Sequence, residues 1–330
     1  MSKVALVITI KNEERLLKQN LLYHFAIGLD KAYVYFDGAT DDGPKSIENM
    51  PNVVIQNSVD ATKYKHLEYL DKFTSKADEH HTARQCLNTY DAMLKCKRDG
   101  IDWLISIDAD ELIVADKNEP KPLADLFEEI DKSIDLVHFD TKEAVQRRKH
   151  YSNVFAEETL FKYTHDFNRK LDKLHKKIED PFKKQTVKIS YWMGQFQGKS
   201  AIKVSSDLIP KNVHRYKSLD GSKVKQIKKG LVLHYHAYDQ IDFIKKFNNF
   251  RYRPNTFLGG NSVGYKKKLW RDIVNSETLD QNYIDSYFEN NILFTENEIK
   301  KMKKGFLGLL PRKEPAFEEI LSVKKAFETL

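Results

Sequence analysis

Apolar and polar positions along the first 140 residues alternate between two periods. Residues 4–10 form a continuous β-branched and apolar run, the pattern of a strand buried on both faces. After Asn12, which can cap a helix, Leu16, Leu17, Leu21, His24 and Ile27 recur at helical spacing, and Gly28 is placed to end that helix. Residues 32–36 read as a second strand running into Asp37-Gly38-Ala39-Thr40-Asp41-Asp42-Gly43-Pro44, a dense turn signal. Residues 52–56 form a short third strand, 77–98 a long helix closed by Gly100, 103–107 a fourth strand and 136–139 a fifth. Strands separated by helices imply an α/β fold with parallel pairing and right-handed crossovers, in which ligands bind beyond the carboxyl ends of the strands.

Beyond residue 140 the pattern is less regular. Residues 165–185, rich in Lys and Asp, read as either an exposed helix or a mobile loop. Residues 201–204 and 230–236 are strand-like. After Asp239 the spacing of Ile241, Phe243, Ile244, Phe247 and Phe250 is helical, and 296–330 reads as helical and basic at first. There is no internal repeat or low-complexity linker. The expected organisation is a main domain over 1–250, with a ligand-binding half at 1–115 and a second half at 116–250, followed by a helical extension over 251–330.

Composition narrows this picture. The chain has 330 residues, 41% apolar and 31% charged in a mixed arrangement, enough for one large core and against wholesale disorder. The two cysteines, Cys86 and Cys96, fall in one predicted helix roughly 15 Å apart along its axis, too far for a disulfide. That usage fits a reducing, cytoplasmic compartment. The short apolar start leads into Lys11-Asn12-Glu13-Glu14-Arg15 without a small-residue cleavage site, and no apolar run is long enough to span a bilayer. The expected location is cytoplasmic, with peripheral contact at the inner membrane face as an option. The net charge of +7 favours anionic partners, or reflects many surface lysines.

The strongest chemical signal is Asp108-Ala109-Asp110-Glu111, directly after the fourth strand. Carboxylates crowded into a partly dry site repel one another, and a divalent cation removes that repulsion. Mg²⁺ or Mn²⁺ takes hard oxygen ligands and bridges carboxylates to phosphates. In an extended segment the first and third residues of Asp-x-Asp face the same side. The plainer alternative is an acidic turn that caps the next helix.

These blocks resemble a known family. Ile8-Thr9-Ile10-Lys11-Asn12-Glu13, then Tyr23-His24-Phe25-Ala26-Ile27-Gly28-Leu29-Asp30, then Val34-Tyr35-Phe36-Asp37, resemble the opening of GT-A glycosyltransferases of the family 2 type, and more narrowly the family 92-like branch. The stretch from Trp103 to Leu112 is similar to that branch's Asp-x-Asp strand. Gly198-Lys199-Ser200, Asn212-Val213-His214-Arg215 and Leu233-His234-Tyr235-His236 resemble its later blocks, followed by a helix bearing Phe243 and Lys246. The resemblance covers roughly residues 3–250. Phe36-Asp37-Gly38 departs from the usual Asn/Asp and Ser content of its block, and residues 144–195 have no clear counterpart.

The resemblance implies a mixed, mainly parallel GT-A sheet flanked by helices and a nucleotide-sugar donor, with a UDP-sugar expected. It also implies a glycan or lipid-linked glycan acceptor and inversion at the anomeric carbon; a role in surface polysaccharide or lipooligosaccharide synthesis is expected by analogy, from the chain's size and the lack of a membrane-spanning run. By position, Thr9 and Glu13 would lie near the nucleoside, Asp37 would contact the base or ribose, and Arg84 would face the diphosphate or sugar. Asp108 and Asp110 would bind Mn²⁺ or Mg²⁺ with His234, or alternatively His236, as third ligand. Lys199, His214 and Arg215 could bind diphosphate. From the residues themselves, Asp140 and Glu143, expected just past the fifth strand, are candidates for the catalytic base, or else pair with Arg147 and Arg148. Lys300, Lys301, Lys303 and Lys304 precede an apolar cluster ending at Pro311; this segment could touch an anionic membrane or pack on the main domain. His80 and His81 are adjacent on a helix and cannot easily chelate together. Two other classes remain: a nucleotidyltransferase, although residues 10–15 lack a glycine-rich phosphate loop, and a nucleic-acid-binding protein, although the basic residues form no stripe and no nucleic-acid partner is expected.

Overall fold

All seven residues of the first strand, Val4–Ile10 (β1), are buried, as its unbroken apolar run requires. The computed structural model describes residues 1–163, 191, 197–304 and 315–330. In chain order the elements are β1, α1 (Glu14–Ala26), β2 (Lys31–Phe36), α2 (Gly43–Ser46), β3 (Val53–Asn57), α3 (Asp71–Thr74), α4 (His81–Asp99), β4 (Trp103–Ile107), β5 (Glu111–Val114) and α5 (Leu123–Glu128). There follow β6 (Leu136–Glu143), α6 (Val154–Glu157), β7 (Leu160–Lys162), β8 (Lys199–Lys203), β9 (Leu208–Asn212), β10 (Arg215–Ser218) and β11 (Gln226–His234). The chain then forms α7 (Gln240–Asn249), α8 (Tyr265–Val274), α9 (Gln281–Asn291), α10 (Glu296–Lys303), β12 (Phe317–Glu319) and α11 (Ser322–Glu328).

One eight-stranded sheet organises the molecule, in the order β3-β2-β1-β4-β8-β6-β11-β5. Strands β3, β2, β1 and β4 pair in parallel, as the strand–helix alternation predicts. Antiparallel β8 is inserted between β4 and β6, β11 pairs in parallel with β6, and β5 closes the far edge antiparallel to β11. The sheet is thus mixed and mainly parallel, the architecture expected from the resemblance. Its faces are covered by α1 and α4. Leu16, Leu17 and Leu21 of α1 join the largest core cluster, and Ala92, Met93 and Cys96 of α4 pack on the other face. Gly100 ends α4 in the left-handed conformation at φ +67°, which only glycine adopts without steric cost. Cys86 and Cys96 are both buried free thiols.

Two local expectations are corrected. Asn12 does not cap α1: it sits at φ +56°, its side-chain oxygen accepts the Thr40 N–H at 2.7 Å, and Glu13 occupies the N-cap. The C-terminal stretch is not wholly helical, because 317–319 forms β12 and pairs with β7. Pairing satisfies backbone groups that an isolated helix pattern could not anticipate. The predicted segment 165–185 lies outside the described residues.

His24, fully buried on α1, tests the core by pH. Its Nε2 accepts the Ile113 N–H at 3.2 Å, while Nδ1 lies 2.8 Å from the Asn20 carbonyl oxygen, so the ring fits only as a neutral donor–acceptor. Burial pushes its pKa down from 6.5 to about 4. Between those values the unfolded chain takes up a proton that the folded chain refuses, so this residue's contribution falls as pH drops through the window. In urea titrations the stability gap between wild type and His24→Gln should narrow by roughly 3 kcal/mol from pH 7 to pH 4. A gap independent of pH would refute the neutral assignment.

Candidate active site

The sheet's topology brings four acids and two histidines together near the carboxyl end of β4. Asp108 and Asp110 follow β4, and Glu111 begins β5. Strand β11 lies between β6 and β5, so its last residue, His234, is paired in register with Glu143 on one side and Glu111 on the other. Asp110, Glu111, Glu143 and His234 are all buried. Every charge here therefore needs a partner.

Lys199, 1% exposed at the start of β8, supplies the first one. Its ammonium lies 2.7 Å from Asp108 Oδ2 and 3.1 Å from Glu111 Oε2. Gln85 of α4 donates to the other Asp108 oxygen at 2.7 Å, and the Asp108 N–H donates to Glu111 Oε2 at 2.8 Å. Burial pushes Glu111 up to about 7 against the pull of Lys199. The preceding Gly198 is at φ +63°, and a Cβ there would come within 2.3 Å of the Phe139 carbonyl oxygen. Gly198→Ala should therefore displace the start of β8 and destabilise the fold by about 2–3 kcal/mol in thermal or urea unfolding. An unchanged midpoint would refute the close approach.

Asp110 faces a second set of partners. Lys246 of α7 contacts its carboxylate, and His234 Nε2 is 3.5 Å away. Burial would raise this acid, but Lys246 and His234 hold it well below the usual carboxylate range. Burial likewise opposes charge on His234, yet Asp110 and Glu143 hold its pKa up to about 9. His236 stacks on His234 with ring centroids 5.3 Å apart, and burial beside Lys246 and His234 keeps it neutral.

Asp110, His234 and His236 each offer one ligand atom, all within 4.8 Å of one another. The fit to a divalent cation extends behind them. His234 Nδ1 is buried with no hydrogen-bond partner, and the equally unpartnered Glu143 Oε2 lies 3.7 Å from it. A carboxylate behind an imidazole is the arrangement that orients metal-ligating histidines. Asp108 stands outside this cluster on Lys199 and Gln85. The sequence left His234 and His236 as alternatives; the structure brings both to Asp110.

The nucleoside-side candidates also converge. Arg84 clamps Asp37 bidentately at 2.6 and 2.9 Å, and His81 Nδ1 lies 2.5 Å from the same carboxylate. Burial would raise Asp37, but His81 and Arg84 hold it far below the usual range. Asn88 donates to Thr9 Oγ1 and to Ser58 Oγ, both at 3.0 Å. Glu13 accepts from Lys245 of α7, and burial, with Asp242 and Asp110 nearby, pushes it up to about 7.

Other expectations change. Asp140 and Glu143 do not follow the fifth strand; both lie within β6, which runs to Glu143. Three residues apart on one strand, they face opposite sides. Asp140 is half-exposed and pairs with Lys228 at 2.9 Å, away from the cluster, whereas Glu143 is locked to buried Lys162 at 2.6 Å. Arg147 and Arg148 pair instead with Glu158 and Glu157. Burial and Lys199 push His214 down to about 4, so it presents a neutral ring rather than a cation for diphosphate; its Nδ1 lies 2.9 Å from the Gly198 carbonyl oxygen.

A family model, "Glycosyltransferase family 92", matches residues 9–271. The chain belongs to glycosyltransferase family 92. Two curated proteins of Arabidopsis thaliana are similar: Glycosyltransferase-like At2g41451, 22% identical over 65% of this chain and 49% of its own length, and Glycosyltransferase-like At3g57200, 24% identical over 65% and 43%. The chain thus spans about half the length of the curated relatives it matches. Among solved structures, glucosyl-3-phosphoglycerate synthase from Mycobacterium tuberculosis with Mn²⁺ and UDP-glucose is similar at 12% identity and TM-score 0.33, covering 71% of each chain. The same enzyme with Mg²⁺ and UDP is similar at 12% identity and TM-score 0.32, covering 75% of this chain and 79% of that one.

The family match extends past residue 250, and so does the packing of this glycosyltransferase. Phe243 and Phe247 share one buried cluster with Trp270, Ile284 and Phe288. That cluster holds Lys245 and Lys246 against Glu13 and Asp110. Neither lysine was singled out for the site from sequence, because nothing local in a Phe/Lys helix shows which acids it will meet.

Proposed function

We propose that this family 92 glycosyltransferase moves a sugar from a nucleotide-sugar, a UDP-sugar in the first instance, to an acceptor hydroxyl with the help of a divalent cation. The observation that carries this reading is the convergence of Asp110, His234 and His236 beside the Asp108–Lys199–Glu111 network. When bound, Mn²⁺ or Mg²⁺ would neutralise charge on the leaving diphosphate. The two imidazoles favour Mn²⁺, since Mg²⁺ prefers oxygen ligands. Around that centre the chain's own groups have separable roles. Lys246 holds the Asp110 carboxylate ionised. Lys199 fixes Asp108 and Glu111 toward the site. Glu143 orients His234 rather than acting as base. Arg84 presents Asp37 as a fixed, ionised acceptor for the base or ribose, next to Thr9 and Glu13.

Inversion and a glycan or lipid-linked glycan acceptor remain part of the proposal on the strength of the family resemblance, and a surface-glycan pathway by analogy alone. Among the described residues no helix is long and apolar enough to cross a membrane. Ile299 and Met302 of α10 pack into a core cluster, which leaves its lysines for peripheral contact; residues 305–311 of that segment lie outside the described residues.

The test is calorimetric titration of UDP, GDP and CDP into the protein, with and without Mn²⁺ or Mg²⁺. Cation-dependent binding of one nucleotide supports the reading and names the donor. No nucleotide binding under any metal condition sinks it.

A further inference from the structure

Outside every residue discussed above, the chain leaving α7 enters a polar pocket of about 470 Å³ lined by Arg251, Tyr252, Arg253, Asn255, Arg271, Asp272 and Asn275. The volume falls in the range of small-molecule sites. Its charge is lopsided, with three guanidinium groups against one carboxylate, Asp272, whose side chain is 68% exposed.

The three arginines are held differently. Arg271 is the frame: it donates to the Arg253 carbonyl oxygen at 3.2 Å and to Asn255 Oδ1 at 2.9 Å. Arg251 lies 4.0 Å from the exposed Glu277 and over the Tyr252 ring. Arg253 lies over the Phe250 ring at 4.0 Å from its centroid, and no carboxylate among the described residues is within ion-pair distance of its guanidinium. Burial pushes it down to about 10, and the charges that act on it are Asp108, Asp37, Arg84 and Glu13. Arg253 thus lines the pocket and also feels the donor-side acids Asp108, Asp37 and Glu13. Lys267 of α8, on which burial, Lys246 and Arg253 act together, adds positive potential nearby.

A half-buried arginine over an aromatic ring, with no carboxylate among the described residues at ion-pair distance, is suited to receive a planar or tetrahedral anion. In the proposed reaction the donor's diphosphate already has the cation held at Asp110, His234 and His236. We infer that the pocket of Arg251, Arg253 and Arg271 binds an anionic group, phosphate or carboxylate, carried by the acceptor. The acceptor class is thus an acidic or phosphorylated saccharide. This rests on the transferase reading, because it is the acceptor's place in that reaction which the pocket supplies.

The test uses the full chain saturated with UDP and Mn²⁺. Mannose 6-phosphate and glucuronic acid are titrated against their neutral parents, mannose and glucose, by calorimetry, in wild type and in Arg251→Gln and Arg253→Gln, with folding checked by circular dichroism. A parallel arm measures sedimentation with phosphatidylglycerol and phosphatidylcholine vesicles. The expected result is tighter binding of the anionic sugars by about tenfold or more, lost by a similar factor in either variant. Arginine-dependent sedimentation with phosphatidylglycerol alone would assign the phosphate to a lipid-held acceptor and equally support an anion site. Anionic sugars and anionic vesicles that bind no better than neutral ones overturn the inference. Competition between the anionic sugars and UDP also overturns it, because the pocket would then belong to the donor. If UDP itself does not bind, the donor reading fails separately, and the anion titrations without UDP still decide whether the pocket takes anions.

Discussion

Asp110→Asn is expected to lower sugar transfer by about 10³-fold, roughly 4 kcal/mol of transition-state stabilisation, and to abolish binding of Mn²⁺ measured by electron paramagnetic resonance. The substitution keeps shape and removes charge. Asp110 is the only carboxylate that shares a ligand cluster with His234 and His236 among the described residues, and two imidazoles alone leave a hard cation short of anionic oxygen. The same change removes the main support for the raised pKa of His234, so that ring should lose its charge in the variant. Asp140→Asn is the control. Its carboxylate faces the other side of β6 beside Lys228, and its rate should stay within about twofold of wild type. Full Mn²⁺ affinity in Asp110→Asn would place the cation elsewhere.

Lys199→Met should destabilise the protein by about 3–5 kcal/mol, the cost of leaving buried charge uncompensated. The lysine is 1% exposed and bridges Asp108 to Glu111. Methionine fills the volume of the stem but leaves the buried Glu111 carboxylate beside the partly exposed Asp108 with no cation between them. The deficit should depend on pH with a definite sign. Without the ammonium, burial acts on Glu111 unopposed by Lys199, so this acid binds its proton more tightly folded than unfolded, and the penalty is greatest at neutral pH and shrinks as pH falls toward the ordinary carboxylate range. Lys228→Met, which breaks an exposed pair, should cost under about 1 kcal/mol. Urea titrations of both variants at pH 7.5 and pH 5 measure these differences. A Lys199→Met protein as stable as Lys228→Met at pH 7.5 would refute the bridge.

Much of the amino-terminal half could be read directly from the chain. The unbroken apolar run of β1, the helical spacing of α1, the left-handed glycine that stops α4 and the acids that end β4 are local signals. Each depends on periodicity or on one residue's backbone freedom, and neighbours in sequence are enough to express it. Sequence reading was weaker wherever a strand's extent depends on its partners. Strand β6 continues past Phe139 to Glu143 because β11 pairs with it there, and that extension decides which face each of its acids occupies. The β9–β10 hairpin, with Pro210 and several charged residues, carries no clean alternation, and β12 exists only through its pairing with β7.

The candidate site divides in the same way. By itself the sequence determined that Asp108 and Asp110 stand at a strand end, since a buried strand must stop where charge begins. Tertiary structure alone decided what answers those charges. Antiparallel β8 carries Lys199 to Asp108, β11 threads between β6 and β5 to set His234 between Glu111 and Glu143, and the aromatic packing of α7 lowers Lys246 onto Asp110. Pairing the buried Asp110 with Lys246 joins residues 136 positions apart, and only the folded packing brings them within reach.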